Sequence, residues 1–556
     1  MSNQVNRLIL KLGKYQTQVE NRLEYWKEHD FMNRLRVKDP TLWFPELVPE
    51  LTDRLGWLDL PDMMHEHLED FILFAEEVKS AGFRHIVLLG MGGSSLAPEV
   101  FQRIFGNVEG YPELIVLDST HPSAIRAVEN KVDVNHTFFI VASKSGTTIE
   151  TLSLFKYFWQ KISQQSQECG DHFCAITDPG TPLIQLANDR GFRRVFKATP
   201  DVGGRYSALT AFGLLPASLI GLDVHTLLNR VSSISENDTF TSPSNEVVSL
   251  ILAAVLGEVT LMGLDKVTFL ASPSLEHFPI WLEQLIAEST GKNGKGIVPI
   301  VNEPLTSTKN YGPDRLFIAF YLETDDTSEL DKQVQAIEAK SYPIIQIYMK
   351  EKMNISQEMY RWETAVAATG AILGIHPFNQ PNVQMAKDLA KKMMEKVENG
   401  ILSKEDVEVI SAENYGELIT ALKSWIDQAK KGDYIAIQAY LSPTFKTTTT
   451  LQKIRLALLN HIIVATTLGY GPRFLHSTGQ LHKGGPNIGL FLQLIDEPDE
   501  DLKVPETNYT FGTLVQAQAL GDYQALTQLK RRVLRINLKG DVINNLLQLL
   551  KVLNEI

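Results

Sequence analysis

Cysteine is nearly absent: Cys169 and Cys174 are the only two in 556 residues. Two thiols make neither a disulfide framework nor a zinc site, and they suit a reducing cytosol. Long apolar runs are missing as well. Runs such as residues 86–90 and 138–142 are strand-sized, far below the ~20 residues of a spanning helix. The opening MSNQVNRLILKLGKYQ interrupts its few apolar residues with Arg7, Lys11 and Lys14, which is no signal-peptide core. Positive charge is in deficit, with 53 Lys and Arg against 66 Asp and Glu for a net −13. Nucleic-acid affinity rests on a cationic surplus that this chain lacks. An anionic ligand must therefore be held by a local site working against the overall field. The expectation is a soluble, cytoplasmic protein with neither a membrane nor a nucleic acid as partner.

What is present describes a globular chain, 44% hydrophobic and 21% charged, long enough for about three to five structural units without a metal or disulfide staple. Residues 1–62 read as a helical segment, with Leu8, Leu12, Tyr15 and Val19 at helical spacing. Residues 63–240 alternate helices with apolar strands at 85–90, 137–142, 172–177 and 193–198, the pattern of a parallel sheet covered on both faces. A second such unit, 241–400, carries strands at 267–272, 316–322 and 344–349. Residues 401–556 form a mixed segment with one clear strand (434–441), a threonine run at 447–450 expected to cap a long helix, and a Gly/His-rich loop. The fold class is α/β, two doubly wound and mostly parallel sheets, whose ligands bind at the carboxyl ends of strands.

Two loops at such ends carry chemistry. Ser143, Lys144, Ser145, Gly146, Thr147 and Thr148 join a strand to a helix with four hydroxyls and one ammonium. A helix start already favours an anion, and the hydroxyls can wrap several phosphate oxygens. The other loop is Gly92-Gly93-Ser94-Ser95. No GxxxxGK[ST] occurs, so neither is a nucleotide P-loop, and the GMGGSS run lacks the last glycine of a dinucleotide fingerprint. Further on, Gly203-Gly204-Arg205-Tyr206-Ser207 offers close backbone approach and a permanent cation. An apolar helix ends in Glu288 before the loop STGKNGKG, where a carboxylate can act as a proton-transfer base.

Five segments in this order resemble the phosphoglucose isomerase family: GMGGS (90–94), SKSGTTIET (143–151), GGRYS (203–207), ESTGK (288–292) and FNQPNVQMAK (378–387). The resemblance spans roughly residues 85–390. It implies two sugar-isomerase (SIS) domains and interconversion of glucose 6-phosphate and fructose 6-phosphate, in glycolysis and gluconeogenesis, without metal or cofactor. Gly93 and Ser94 would line the sugar, and residues 143–148 would hold its phosphate. Glu288 would move a proton between C1 and C2, with Gln284 one turn earlier on the same face. Arg205 would stabilise the enediolate, and Gln380 and Lys387 would match the family's glutamine and lysine. Alternatives within the resemblance are a non-catalytic sugar-phosphate sensor and a dual phosphoglucose/phosphomannose isomerase.

The sequence departs from the family in one respect. The ring-opening histidine ordinarily lies between the glutamate and lysine motifs, where only His376 is found here. The LHSTGQ motif, carrying His476, follows both instead. That order resembles the isomerase half of bacterial transaldolase–isomerase fusions, which implies a functional link to transaldolase. The family also implies a homodimer. His476 is the expected ring-opening residue, with His376 and His482 as rivals.

Overall fold

The computed structural model describes residues 6–237, 247–398, 409–498 and 500–556. The unit boundaries expected at 240/241 and 400/401 lie outside the described residues. Strand β1 (Arg7–Lys11) comes first. The first sheet holds β2 (His85–Leu89), β3 (Glu113–Leu117), β4 (Thr137–Ala142), β5 (Phe173–Thr177) and β6 (Arg194–Lys197). The second holds β7 (Lys266–Ala271), β8 (Val298–Ile300), β9 (Arg315–Leu322) and β10 (Ile344–Met349). A third is built from β11 (Ile410–Ser411), β12 (Tyr434–Tyr440), β13 (Ala465–Tyr470), β14 (Gly489–Ile495) and β15 (Arg532–Asn537).

The strand orders are β3-β2-β4-β5-β6, β1-β10-β9-β7-β8 and β11-β15-β14-β12-β13. Every ladder is parallel except β1 against β10. Parallel strands are buried on both faces, which is why β4 (TFFIVA) and β9 (RLFIAFYL) are wholly buried and nearly continuous in apolar residues. In the first sheet the chain order reverses beside β2, its first strand, and ligands bind at the strand ends at such a point. The hydroxyl-rich loop follows β4 and the GMGGSS loop follows β2, two neighbouring strands at that point.

Three local expectations are corrected. Leu8 lies not in a helix but in β1, which adds an antiparallel edge to the second sheet in register with β10. The threonine run does not cap the long helix Phe445–Ile462. Thr444 does so, accepting from the Thr447 N–H, and the run forms the first turns. The segment beyond residue 400, expected to be mixed, contains a complete third sheet. Among the described residues no helix is long and apolar enough to cross a membrane.

The third unit is locked to the other two by buried polar contacts. Arg455 donates to the Val301 and Asn302 carbonyls (2.9 and 2.8 Å) and to Thr466 Oγ1 (3.0 Å), joining it to the second unit. His121 faces Asp496 (3.1 Å) and Arg473 faces Asp118 (3.1 Å), joining it to the first. Breaking one such pair strands a buried charge, so the docking resists loosening.

Candidate active site

The loop after β2 turns so tightly that Gly92 adopts φ +54°, and a Cβ there would stand 2.7 Å from the His476 carbonyl oxygen. A Cβ on Gly93 would meet the Gly204 carbonyl at 2.0 Å. Two glycines therefore let three segments far apart in sequence meet: the first glycine loop, the GGRYS turn and the LHSTGQ loop. Ser94 is buried in this contact.

Arg205 is the hub. It is 2% exposed, and its guanidinium donates to Ser289 Oγ (2.8 Å), Gln380 Oε1 (3.1 Å) and the Asn379 carbonyl (3.0 Å). It also faces Glu288 Oε1 at 3.5 Å. Behind it an aromatic wall packs Trp57 at a tilt against Tyr206 (5.3 Å) and Tyr206 at a tilt against Phe378 (5.4 Å), with Trp43 edge-on to Phe378 (5.3 Å). The N-terminal segment thus supplies two tryptophans that fix the cation. Each such ring buries enough apolar surface to contribute roughly 1.5–3 kcal/mol.

Glu288 stands between two donors. Gln284, one turn earlier on the helix Phe278–Thr290, gives Nε2 to Glu288 Oε2 (3.1 Å) and also to the His476 carbonyl (2.7 Å). The same amide therefore ties the carboxylate to the histidine loop. Glu288 keeps 14% of its side chain open, enough to meet a ligand. Gln480, in the LHSTGQ motif, accepts from the Asn382 N–H (2.9 Å) and donates to the Gly291 carbonyl (2.9 Å). It clamps the segment after Glu288 to the segment carrying Gln380.

His476 Nε2 pairs with Glu150 Oε1 at 2.8 Å. Burial alone would push the Glu150 carboxyl upward. The His476 charge and hydrogen bond, its own amide and the Gln518 amide outweigh that and hold it at about 2. Glu150 is thus an anion that orients the imidazole through Nε2 and leaves Nδ1 for other work. Sequence reasoning missed Glu150 as a functional residue although it lies within the SKSGTTIET motif. No local pattern joins it to a histidine 326 residues away.

The rival histidines are engaged elsewhere. His376 accepts the Phe378 N–H at Nδ1 (3.1 Å), so Nε2 must donate to the Pro49 carbonyl (3.0 Å). Burial, with Lys292 and Arg205 nearby, lowers it to about 4. His482 is buried inside the third unit against Gln438 (3.3 Å), its pKa pushed well down by burial and by Lys483 and Arg531. His376 carries a stability consequence. An unfolded imidazole binds its proton near 6.5, whereas the folded one waits until about pH 4. Acidification through that window therefore favours the unfolded chain. Between pH 7 and pH 5 this group should cost about 2 kcal/mol of stability. Denaturant unfolding at the two pH values should show a smaller loss for His376→Gln; an equal loss would contradict the burial.

The loop after β4 is arranged around hydroxyls. Ser143 Oγ faces Thr148 Oγ1 at 2.9 Å, and Ser145 Oγ faces Thr147 Oγ1 at 3.0 Å. Thr148 is the N-cap of the helix Ile149–Ser163 but makes no side-chain cap, so the first-turn amides are not satisfied by it. Gly146 has φ +68°, and a Cβ there would press on Thr181 at 2.8 Å. Lys144 does not join these hydroxyls. It donates to Asp178 (2.5 Å) and to the Thr199 and Pro200 carbonyls (3.3 and 3.2 Å), bracing the loop from behind. Lys387 lies on the exposed side of the helix Val383–Glu398. The structure brings together Gly93, Ser94, Arg205, Gln284, Glu288, Gln380 and His476. It leaves Lys387 on the surface.

The phosphoglucose isomerase family model matches residues 63–306, which contain the glycine loop, the hydroxyl loop, Arg205 and Glu288. Over that stretch the chain is similar to the phosphoglucose isomerase family. Its relatives include a glucose-6-phosphate isomerase of Staphylococcus saprophyticus, 27% identical over 423 residues, 66% of this chain and 92% of that protein. One of Staphylococcus aureus is 27% identical over 422 residues with the same coverage. Among solved structures, a hypothetical protein from Thermus thermophilus aligns with TM-score 0.57 at 24% identity, over 69% of this chain and 99% of that one. A glucose-6-phosphate isomerase from Chlamydia trachomatis aligns with TM-score 0.56 at 18% identity, over 68% and 86%. At those identities the structural likeness speaks for the fold. In this chain the LHSTGQ motif follows β13 of the third sheet, beyond the residues that the family model matches.

Proposed function

We propose that this protein interconverts glucose 6-phosphate and fructose 6-phosphate, as a cytoplasmic step of glycolysis and gluconeogenesis. The observation that carries the reading is the convergence of Glu288, Arg205 and His476 on one site beside the hydroxyl loop. A sugar-phosphate sensor needs the loop but no poised base, so a carboxylate held between Gln284 and Arg205 favours the enzyme.

The chemistry follows from the groups. The phosphate docks against the hydroxyls of Ser143, Ser145, Thr147 and Thr148 and the amides of the helix start. His476, oriented by Glu150, moves a proton to O5 as the C1–O5 bond breaks and the C1 hydroxyl gives up its own. Glu288 takes the C2 proton and returns it to C1 while a hydroxyl proton passes between O1 and O2. Arg205 meets the negative charge that develops on the enediolate oxygens. Gln284 and Gln380 orient the sugar and the charged pair. No step requires Lys387.

A coupled assay on glucose, mannose and glucosamine 6-phosphates tests the proposal. Turnover of glucose 6-phosphate to fructose 6-phosphate is expected; tight binding without turnover would favour the sensor, and turnover of mannose 6-phosphate the dual isomerase. The phosphate loop has its own prediction. Ser143→Ala with Thr148→Ala removes charge-assisted hydrogen bonds of roughly 1.5–3 kcal/mol each. Calorimetry should find fructose 6-phosphate bound at least about tenfold more weakly. Unchanged affinity would reduce the loop to a helix start.

A further inference from the structure

Behind His476 the third sheet has two unlike faces. One carries Ile435, Ile437, Leu490, Leu492 and Leu494 in an aliphatic core. On the other, Gln438 lies in register with Gln493, and Gln493 with Arg535. The helix Phe511–Gln528 covers this face, packing Val515 and Ala519 near Tyr440 and Ile495 while Gln493 donates to the Ala519 carbonyl at 3.1 Å. Gln518 and Asp522 share one side of that helix at i, i+4 spacing, and Asp522 pairs with Lys483, both buried.

Gln518 reaches out of this face to the first unit. Its Nε2 donates to Glu150 Oε1 at 2.7 Å, the same oxygen that pairs with His476 Nε2 at 2.8 Å. Gln518 is 6% exposed and Glu150 3%, so water does not replace this bond. An ionised carboxylate only accepts, which obliges the Gln518 amide to present its nitrogen. The terminal torsion of a glutamate is broad and roughly two-fold. Besides His476 and the carboxylate's own amide, Gln518 is the one further side-chain donor among the described residues, and its bond to Oε1 restricts that torsion from the side of the third unit.

We propose that Gln518 is a positioning residue for ring opening: by fixing Glu150 Oε1 it holds the plane of the His476 imidazole against the sugar. This rests on the isomerase reading above. Mere packing between units would affect every step alike, whereas positioning of His476 affects ring opening and spares proton transfer at C2. The test compares turnover of glucose 6-phosphate with loss of deuterium from C2 of an aldose phosphate lacking the C4 and C5 hydroxyls, which cannot cyclise.

Gln518→Met keeps the volume and removes the donor. It should slow turnover of the cyclic sugar about tenfold, within the range of a lost hydrogen bond to a charged group, and leave C2 exchange unchanged. Gln518→Glu, of the same shape, sets one carboxylate against another and should show the same split with a larger loss. It carries the test if Gln518→Met does not fold. Unchanged turnover in both variants, or equal losses in the two assays, would overturn the proposal. Wild-type protein inactive in both assays would instead defeat the isomerase reading itself.

Discussion

Glu288→Gln should lower the turnover number for glucose 6-phosphate by about 10³-fold, the middle of the range for a positioned acid–base group. Its affinity for fructose 6-phosphate should stay within about twofold of wild type. The two effects separate because of what surrounds the carboxylate. Arg205 has Ser289, Gln380 and the Asn379 carbonyl as further partners, so it stays in position when Glu288 loses its charge. Gln284 likewise keeps its bond to the His476 carbonyl. The amide retains the shape and hydrogen-bonding reach of the side chain and loses only its basicity. The loss therefore falls on the chemical step. Stopped-flow or coupled turnover beside calorimetry checks both halves. Activity within tenfold of wild type would remove Glu288 from proton transfer.

His476→Ala should produce a different signature. Glucose 6-phosphate is cyclic in water, and its ring must open before the C2 proton becomes acidic. Ring opening delivers a proton to O5 and collects one from the C1 hydroxyl, a task suited to an imidazole. In this structure the imidazole is aimed by Glu150, while Glu288 sits on the other side of Gln284. Removing the ring should slow turnover of the cyclic sugar by about 10²-fold or more. Deuterium exchange at C2 of the non-cyclising analogue should change little. The same substitution at His376, whose ring nitrogens both engage backbone groups, should act through stability and affect both assays alike. Equal losses for His476→Ala would sink its ring-opening role, and a loss confined to ring opening in His376→Ala would transfer the role there.

The legibility of the sequence varied with the physics of each element. Strands buried on both faces announce themselves as apolar runs, so β4 and β9 are visible without a structure. Three-residue β8 (Val298–Ile300) carries no period of its own, and β3 (Glu113–Leu117) is an edge strand only partly buried, so neither is picked out from the sequence. Edge strand β1 is half exposed, and its leucines fit a helical spacing by coincidence. The third sheet hides for another reason. β13 reads ATTLGY and β15 RVLRIN, neither a continuous apolar run, and although β14 (GLFLQLI) nearly is one, only β12 is picked out from the sequence.

The site divides in the same way. Gly93, Arg205 and Glu288 stand in compact motifs whose local chemistry suggests a role. Lys144 stands in one too, and its type suggests a phosphate ligand; its pairing with Asp178 is a contact no local pattern shows. Contacts such as Glu150 with His476 and Gln518 with Glu150 join residues 326 and 368 positions apart. They exist because two sheets dock, and no window along the chain contains them.

In the proposed mechanism one carboxylate, Glu288, carries a proton between adjacent carbons of a sugar phosphate. Its most direct test follows deuterium from C2 of glucose 6-phosphate. Wild-type protein should form fructose 6-phosphate with part of the label on C1 and part lost to water, since the carrier is partly open to solvent. Both label routes should vanish in Glu288→Gln. No fructose 6-phosphate from the wild type, or label reaching C1 at an undiminished rate in the variant, would contradict the account.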